Sequence, residues 1–147
     1  MTPRLREARG RLVADERLRA AQFGDALSRV LDAAFAELLT GVELPQRWAL
    51  VALGSYGRRE LCPGSDIDVM FLHRGRGAVA DAVSGLWYPL WDAGYVLGHS
   101  TRTVKEAVAL ADADLDALTA LLDTRLVGGD TALCAELTGE VRRLAQR

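Results

Sequence analysis

Two carboxylates, Asp66 and Asp68, open the apolar run Ile67 to Leu72, ten residues after a Gly54-Ser55 pair that closes another apolar run, Ala49 to Leu53. On a strand, residues i and i+2 point to one face, so Asp66 and Asp68 project side by side. Two ionised carboxylates that close repel each other unless a cation sits between them. Carboxylate oxygen suits Mg²⁺ and Mn²⁺. The segment Gly54-Ser55-Tyr56-Gly57-Arg58-Arg59 adds two glycines, a hydroxyl and two guanidiniums. Glycines let a backbone approach phosphates closely, and exposed N–H groups together with a guanidinium hold anionic oxygens. The chemistry of these parts is that of a site for a metal-bound nucleoside triphosphate. Asp66 and Asp68 would bind the metal, Gly54, Ser55 and Gly57 would form the triphosphate turn, and Arg58 would be the cationic clamp. Each part alone has a plainer reading, since an isolated Asp-x-Asp commonly caps a turn or a strand end; the combination carries the inference.

The elements that must position these residues follow from the apolar pattern. Ala49 to Leu53 reads as a strand buried on both faces, and Ile67 to Leu72 as its neighbour. Tyr95 to Arg102 reads as a third strand, with Arg102 facing the site as a phosphate ligand or, alternatively, in a surface ion pair. Arg4 to Leu39 is helical. Phe23, Leu27, Val30, Leu31, Ala34, Phe35 and Leu38 form one stripe, and Gly24-Asp25 is the expected break, with Asp25 as a cap. Thr40-Gly41 is the expected stop, and His73 to Gly77 a turn. Val79 to Trp91 fits one helical face that Pro89 should kink or shorten, with Trp87 and Trp91 in the core. Thr103 and Glu106 match a capping box, and helical patterns are expected through Ala111, from Asp114 to Leu126, and from Thr131 onward. Asp112, Asp114 and Asp116 read as a helix start, not as metal ligands. This order suits an α+β fold, a small mixed sheet with helices on one side.

Composition bounds the rest. The chain has 147 residues, half of them apolar, and a net charge of −2. That fits one domain with a real core and implies no bulk attraction to nucleic acid or an anionic membrane. No apolar run approaches a membrane span, and Cys62 and Cys134 lack metal-type spacing, so a cytoplasmic setting is expected. Lys105 is the only lysine among 18 basic side chains, a bias that suggests a GC-rich genome. Residues 1–44 form an N-terminal helical segment, 45–130 the core and 131–147 a final helix in this reading.

Strand, Gly-Ser, ten residues, Asp-x-Asp, strand is similar to the signature of the DNA polymerase β-like nucleotidyltransferase superfamily. LGSYGRREL and CPGSDIDVMFL more closely resemble the N-terminal nucleotidyltransferase domain of the bacterial PII uridylyltransferase/uridylyl-removing enzymes. Trp87 to Gly94, Gly98 to Thr103 and Leu121 to Asp130 resemble that family's later blocks in order; Asp123 and Arg125 fall in the last block without an assigned role. The family usually has Gly where Ser55 and Arg59 stand. The resemblance implies a polymerase β-like core and transfer of a nucleoside monophosphate to a tyrosine of the PII nitrogen-signalling protein, with Mg²⁺ or Mn²⁺. It implies UTP as donor, with ATP the alternative because some actinobacterial relatives are adenylyltransferases. The family's phosphohydrolase and glutamine-sensing ACT domains do not fit in this length, so removal activity and glutamine control are expected to be missing. The superfamily often carries a third acid on the next strand; here Gly98, His99 and Ser100 stand there, leaving the general base unassigned. Two competing readings are a non-catalytic nucleotide-binding or regulatory module and a stand-alone enzyme acting on another acceptor.

Overall fold

A computed structural model describes residues 1–75 and 78–147 of the chain. Of the expected turn at His73 to Gly77, Arg76 and Gly77 lie outside the described residues.

The amino-terminal helical pattern is divided into α1 (Thr2–Ala14) and α2 (Ala20–Leu39), so the break falls at Asp15–Arg19 and not at Gly24-Asp25. Asp15 ends α1 in extended backbone, and its carboxylate accepts both the Arg17 amide and the Arg17 guanidinium. Gly24 remains inside α2 for a packing reason: a Cβ there would lie 2.7 Å from the Arg59 carbonyl oxygen. Asp25 caps nothing and pairs instead with Arg29 and Arg59. Thr40 ends α2 as expected. The stripe of Phe23, Leu27, Leu31, Ala34 and Phe35 is buried.

The sheet comprises β1 (Trp48–Ala52), β2 (Ile67–His73), β3 (Leu97–Arg102) and β4 (Arg125–Gly129), in the order β3-β2-β1-β4. β1 is antiparallel to β2 and β4, whereas β2 and β3 are parallel. The remaining elements are a single helical turn α3 (Gly54–Gly57), α4 (Val79–Val83), a 3-10 turn (Ser84–Leu86), α5 (Tyr88–Asp92), α6 (Val104–Ala113), α7 (Leu115–Leu122) and α8 (Thr131–Ala145).

Alternation along the strands builds two cores. Leu50, Ala52, Ile67, Val69 and Phe71 pack with α2 and the α4–α5 segment. Ala49, Val51, Met70 and Leu72 pack with α6, α7 and α8. Helices therefore cover both faces of the sheet, not one, because β1 and β2 are apolar on both sides and each side needs a cover.

Two further expectations are corrected. The pattern read as helix to Leu126 ends at Leu122, and Arg125–Gly129 forms the edge strand β4. Trp87 is buried, but Trp91 is 40% exposed: the i, i+4 bond from the Trp91 amide to the Trp87 carbonyl is made at 3.2 Å, yet the Trp91 ring packs edge-on against Tyr88 and His99 at the surface. The Thr103–Glu106 capping box is formed: each side chain accepts the other's backbone N–H. Asp114 caps α7 through the amides of Asp116 and Ala117.

Candidate active site

The end of β1 is fastened to the start of β2 by the Leu53 amide, which donates to the Asp68 carbonyl at 2.9 Å. The chain leaves β1 through Gly54 at φ +53°, a left-handed conformation that costs glycine nothing. One helical turn follows, in which the amides of Gly57 and Arg58 donate to Leu53 and Gly54 at 3.0 Å. Gly57 is demanded by space, since a Cβ there would stand 2.0 Å from the Asp123 carbonyl oxygen. Ser55 is half-buried at the head of this turn and its carbonyl accepts the Glu60 amide at 2.8 Å.

Asp68 lies on the Met70 and Leu72 side of β2, between the two glycines nearest to it. A Cβ on Gly54 would be 3.8 Å from Oδ2, and one on Gly98 would be only 2.4 Å from Oδ1. Gly98 pairs with Asp68 in the parallel register, so the bare backbone of β3 makes room for the carboxylate. Asp66 is exposed just before β2 begins. Next to Asp68 a cleft of about 260 Å³ runs towards α6 and α7, walled by Leu53, Met70, Gly98, Ser100, Leu110 and Leu121.

Burial, and then the charge of Asp66, hold the Asp68 carboxyl above its ordinary value. The like-charge neighbour is what a cation would relieve, so this pair fits a divalent ion in chemistry and placement. No cluster of three His, Cys, Asp or Glu side chains stands here among the described residues, so substrate oxygens and water would complete any coordination. A cation bound here would compete with the Asp68 proton. Mn²⁺ affinity, followed by electron paramagnetic resonance from pH 4 to 8, is therefore expected to rise until Asp68 is fully ionised and then level off. A flat profile would separate Asp68 from metal binding. The folded chain holds this proton more tightly than the unfolded chain does. Ionising Asp68 in the metal-free protein thus costs stability as pH rises through its folded value.

The basic residues are distributed differently from expectation. Arg58 Nε donates to Glu60 at 2.8 Å and its Nη1 to Asp123, so its guanidinium is engaged by two carboxylates. Arg102 shares the Asp68 face of the sheet but pairs with Leu72, four residues along β2, or about 13 Å at roughly 3.3 Å per residue. Arg102 is therefore not brought together with the carboxylates. His99 points to the opposite face, stacked on Trp87 with ring centres 4.9 Å apart.

A second tier of residues carries the loop itself, and the residue pattern did not single it out. Asp32 of α2 accepts the Tyr56 hydroxyl at 2.7 Å, Arg59 at 3.1 Å and both Nη atoms of Arg125 at 2.9 and 3.1 Å. Burial, and then the Asp32 charge, push the Tyr56 hydroxyl well above its ordinary pKa, so it stays a donor. The available signal was positional: Asp32 occupies a core-facing place between buried Ser28 and Phe35, where a carboxylate needs partners.

A mixed sheet, a glycine-opened turn after its central strand and an Asp-x-Asp pair at the head of the neighbouring strand make up a polymerase β-like nucleotidyltransferase fold. The chain belongs to the nucleotidyltransferase family DUF294, which matches residues 4–90. Among curated proteins it is 45% identical over 105 residues to a bifunctional uridylyltransferase/uridylyl-removing enzyme of Mycobacterium tuberculosis, covering 70% of this chain. It is 43% identical over 134 residues to the enzyme of that name from Thiobacillus denitrificans, covering 88% of this chain. The matched regions are 13% and 16% of those relatives' lengths. A solved toxin–antitoxin structure with AMP-PNP shares the fold at a TM-score of 0.53 and 16% identity, over 78% of this chain and 86% of that one. Among the described residues no helix is long and apolar enough to cross a membrane.

Proposed function

We propose that residues 1–147 form one nucleotidyltransferase domain that transfers a nucleoside monophosphate from UTP or ATP to a tyrosine hydroxyl of the PII nitrogen-regulatory protein. The observation that carries this reading is the half-buried Asp68 carboxylate, set between Gly54 and Gly98 with Asp66 two residues before it.

In the reaction the acceptor oxygen attacks the α-phosphorus, a new oxygen–phosphorus bond forms, and the bond from that phosphorus to the bridging oxygen breaks. Pyrophosphate leaves, and the hydroxyl proton passes to solvent. Such chemistry depends mainly on positioning and charge neutralisation. Asp66 and Asp68 would hold Mg²⁺ or Mn²⁺, which supplies positive charge against the phosphate oxygens when bound. The first amides of a helical turn have no partner within that turn. Those at Gly54 and Ser55 would donate to phosphate oxygens. Arg58 reaches a phosphate by exchanging Asp123 or Glu60 for it. The names of the relatives from Mycobacterium tuberculosis and Thiobacillus denitrificans support uridylyl transfer.

The engaged Arg58, and the lack of a three-acid cluster among the described residues, favour one second reading, a module that binds nucleotide without transferring it. Incubation with PII, Mg²⁺ or Mn²⁺, and α-labelled UTP or ATP separates the two. Label on PII from one nucleotide is the expected result and chooses the base. Metal-dependent binding of both nucleotides with no labelled protein would overturn transfer in favour of the binding module.

A further inference from the structure

We propose that Arg125 is a positioning residue for the Gly54–Gly57 turn, with the Asp32 carboxylate as its anchor; this rests on the nucleotidyltransferase reading above. One guanidinium makes four bonds in two directions. Its Nη atoms grip the two Asp32 oxygens at 2.9 and 3.1 Å, while Nη2 and Nε donate to the Tyr56 and Gly57 carbonyls, each at 3.2 Å. The same guanidinium lies 5.1 Å from the centre of the Tyr56 ring.

The fork fixes the orientation of two consecutive peptide groups. With the Tyr56 and Gly57 carbonyls turned towards β4, the turn cannot rotate them towards the phosphate side, where a carbonyl oxygen would repel the anion. The anchor is itself held. Asp32 and Arg125 side chains are 22% and 20% exposed, and Tyr56 and Arg59 add two more donors to the carboxylate. A bidentate guanidinium–carboxylate pair fixes geometry as well as charge, and an ammonium cannot reproduce the fork. The four bonds of Arg125 go to Asp32 and to the carbonyls of the turn. Its effect is transmitted through the backbone of the turn.

The test compares Arg125→Lys with the unaltered chain, using Mg²⁺ and UTP or ATP as probes, whichever the labelling assay selects. Expected for Arg125→Lys are a roughly 100-fold lower kcat with KM for the acceptor changed less than about threefold. Thermal unfolding should show one cooperative transition. Amide exchange should rise about tenfold or more at Gly57 and Arg58, whose amides are bonded within the turn, and stay unchanged in β1 and β2. Asp32→Asn should reproduce the kcat loss, and the double variant should be no worse than either single one, because both remove the same constraint. Unchanged kcat and unchanged exchange in the turn would overturn the proposal, as would a loss of stability with kcat per folded molecule intact. If the unaltered chain transfers nothing, the nucleotidyl-transfer reading fails by itself. The exchange comparison still decides whether Arg125 holds the turn.

Discussion

Asp68→Asn is expected to lower nucleotidyl transfer by roughly 10³-fold without lowering Tm, measured by α-label transfer and by thermal unfolding at pH 7.5 without metal. The activity loss follows from removing the charge that stands between Gly54 and Gly98, where the cation and the triphosphate would meet. The stability expectation has the opposite sign from that of an ordinary buried polar deletion. In the metal-free protein the Asp68 carboxyl is raised by burial and by Asp66, so its ionised form is unfavourable in the folded state. Asparagine keeps the shape and removes that cost, so Tm should match or exceed that of the unaltered chain. Added Mg²⁺ should raise Tm of the unaltered chain and leave Asp68→Asn unmoved. Retained activity would remove Asp68 from the site, and a strongly lowered Tm would mean that its role is structural.

The second large effect is expected at Gly98→Ala, a position with no chemical group of its own. The added Cβ would stand 2.4 Å from Asp68 Oδ1 and, apart from Asp68, would meet nothing within 4 Å. The carboxylate can turn aside, so the backbone of β3 need not shift, and stability should change by less than about 1 kcal/mol. The displaced carboxylate, however, leaves the position between the two glycines. A displacement on the order of 1 Å at a reacting site costs about 100-fold in rate. The expected result is therefore a folded protein with weak Mn²⁺ binding and about 1% of the transfer activity. A Cβ on Gly57 presents a different problem, since its neighbours are the Asp123 and Ala52 carbonyl oxygens at 2.0 and 3.1 Å, which are backbone and cannot rotate away. Normal metal binding by Gly98→Ala would show that the register of β2 and β3 does not shape the site.

What was legible in the residues was whatever repeats locally. The i, i+2 aspartates, the glycine-opened turn, the two central strands and the Thr103–Glu106 capping box each follow from a short pattern with one physical meaning. What escaped depends on distant contacts. β4 is five residues long, mostly half-buried and ends in two glycines, so its periodicity is weak, and only pairing with β1 defines it. Trp91 carried an apolar residue's expectation of burial, but its ring packs against Tyr88 and His99 at the surface, contacts no local pattern shows. Gly24 looked like a helix break because the neighbour it must accommodate, the Arg59 carbonyl, is 35 residues away in the chain. Arg59 illustrates the limit from the other side. The resemblance led to an expectation of Gly at that place, and the backbone there has φ +59°. A left-handed non-glycine residue costs roughly 1–2 kcal/mol. Here the guanidinium offsets part of that cost by reaching Asp25 at 3.4 Å and Asp32 at 3.1 Å.

The convergence on Asp32 also sets an order of events during folding. Its partners Tyr56, Arg59 and Arg125 lie 24, 27 and 93 positions along the chain. Closing a longer stretch of chain costs more entropy, so contacts of high sequence separation form late. The Leu53–Asp68 fastening, by contrast, closes only a short segment. A folding chain can thus align both aspartates beside β1 while the turn beyond Leu53 still samples other shapes. Its final geometry waits for β4, the last strand in the chain to be made.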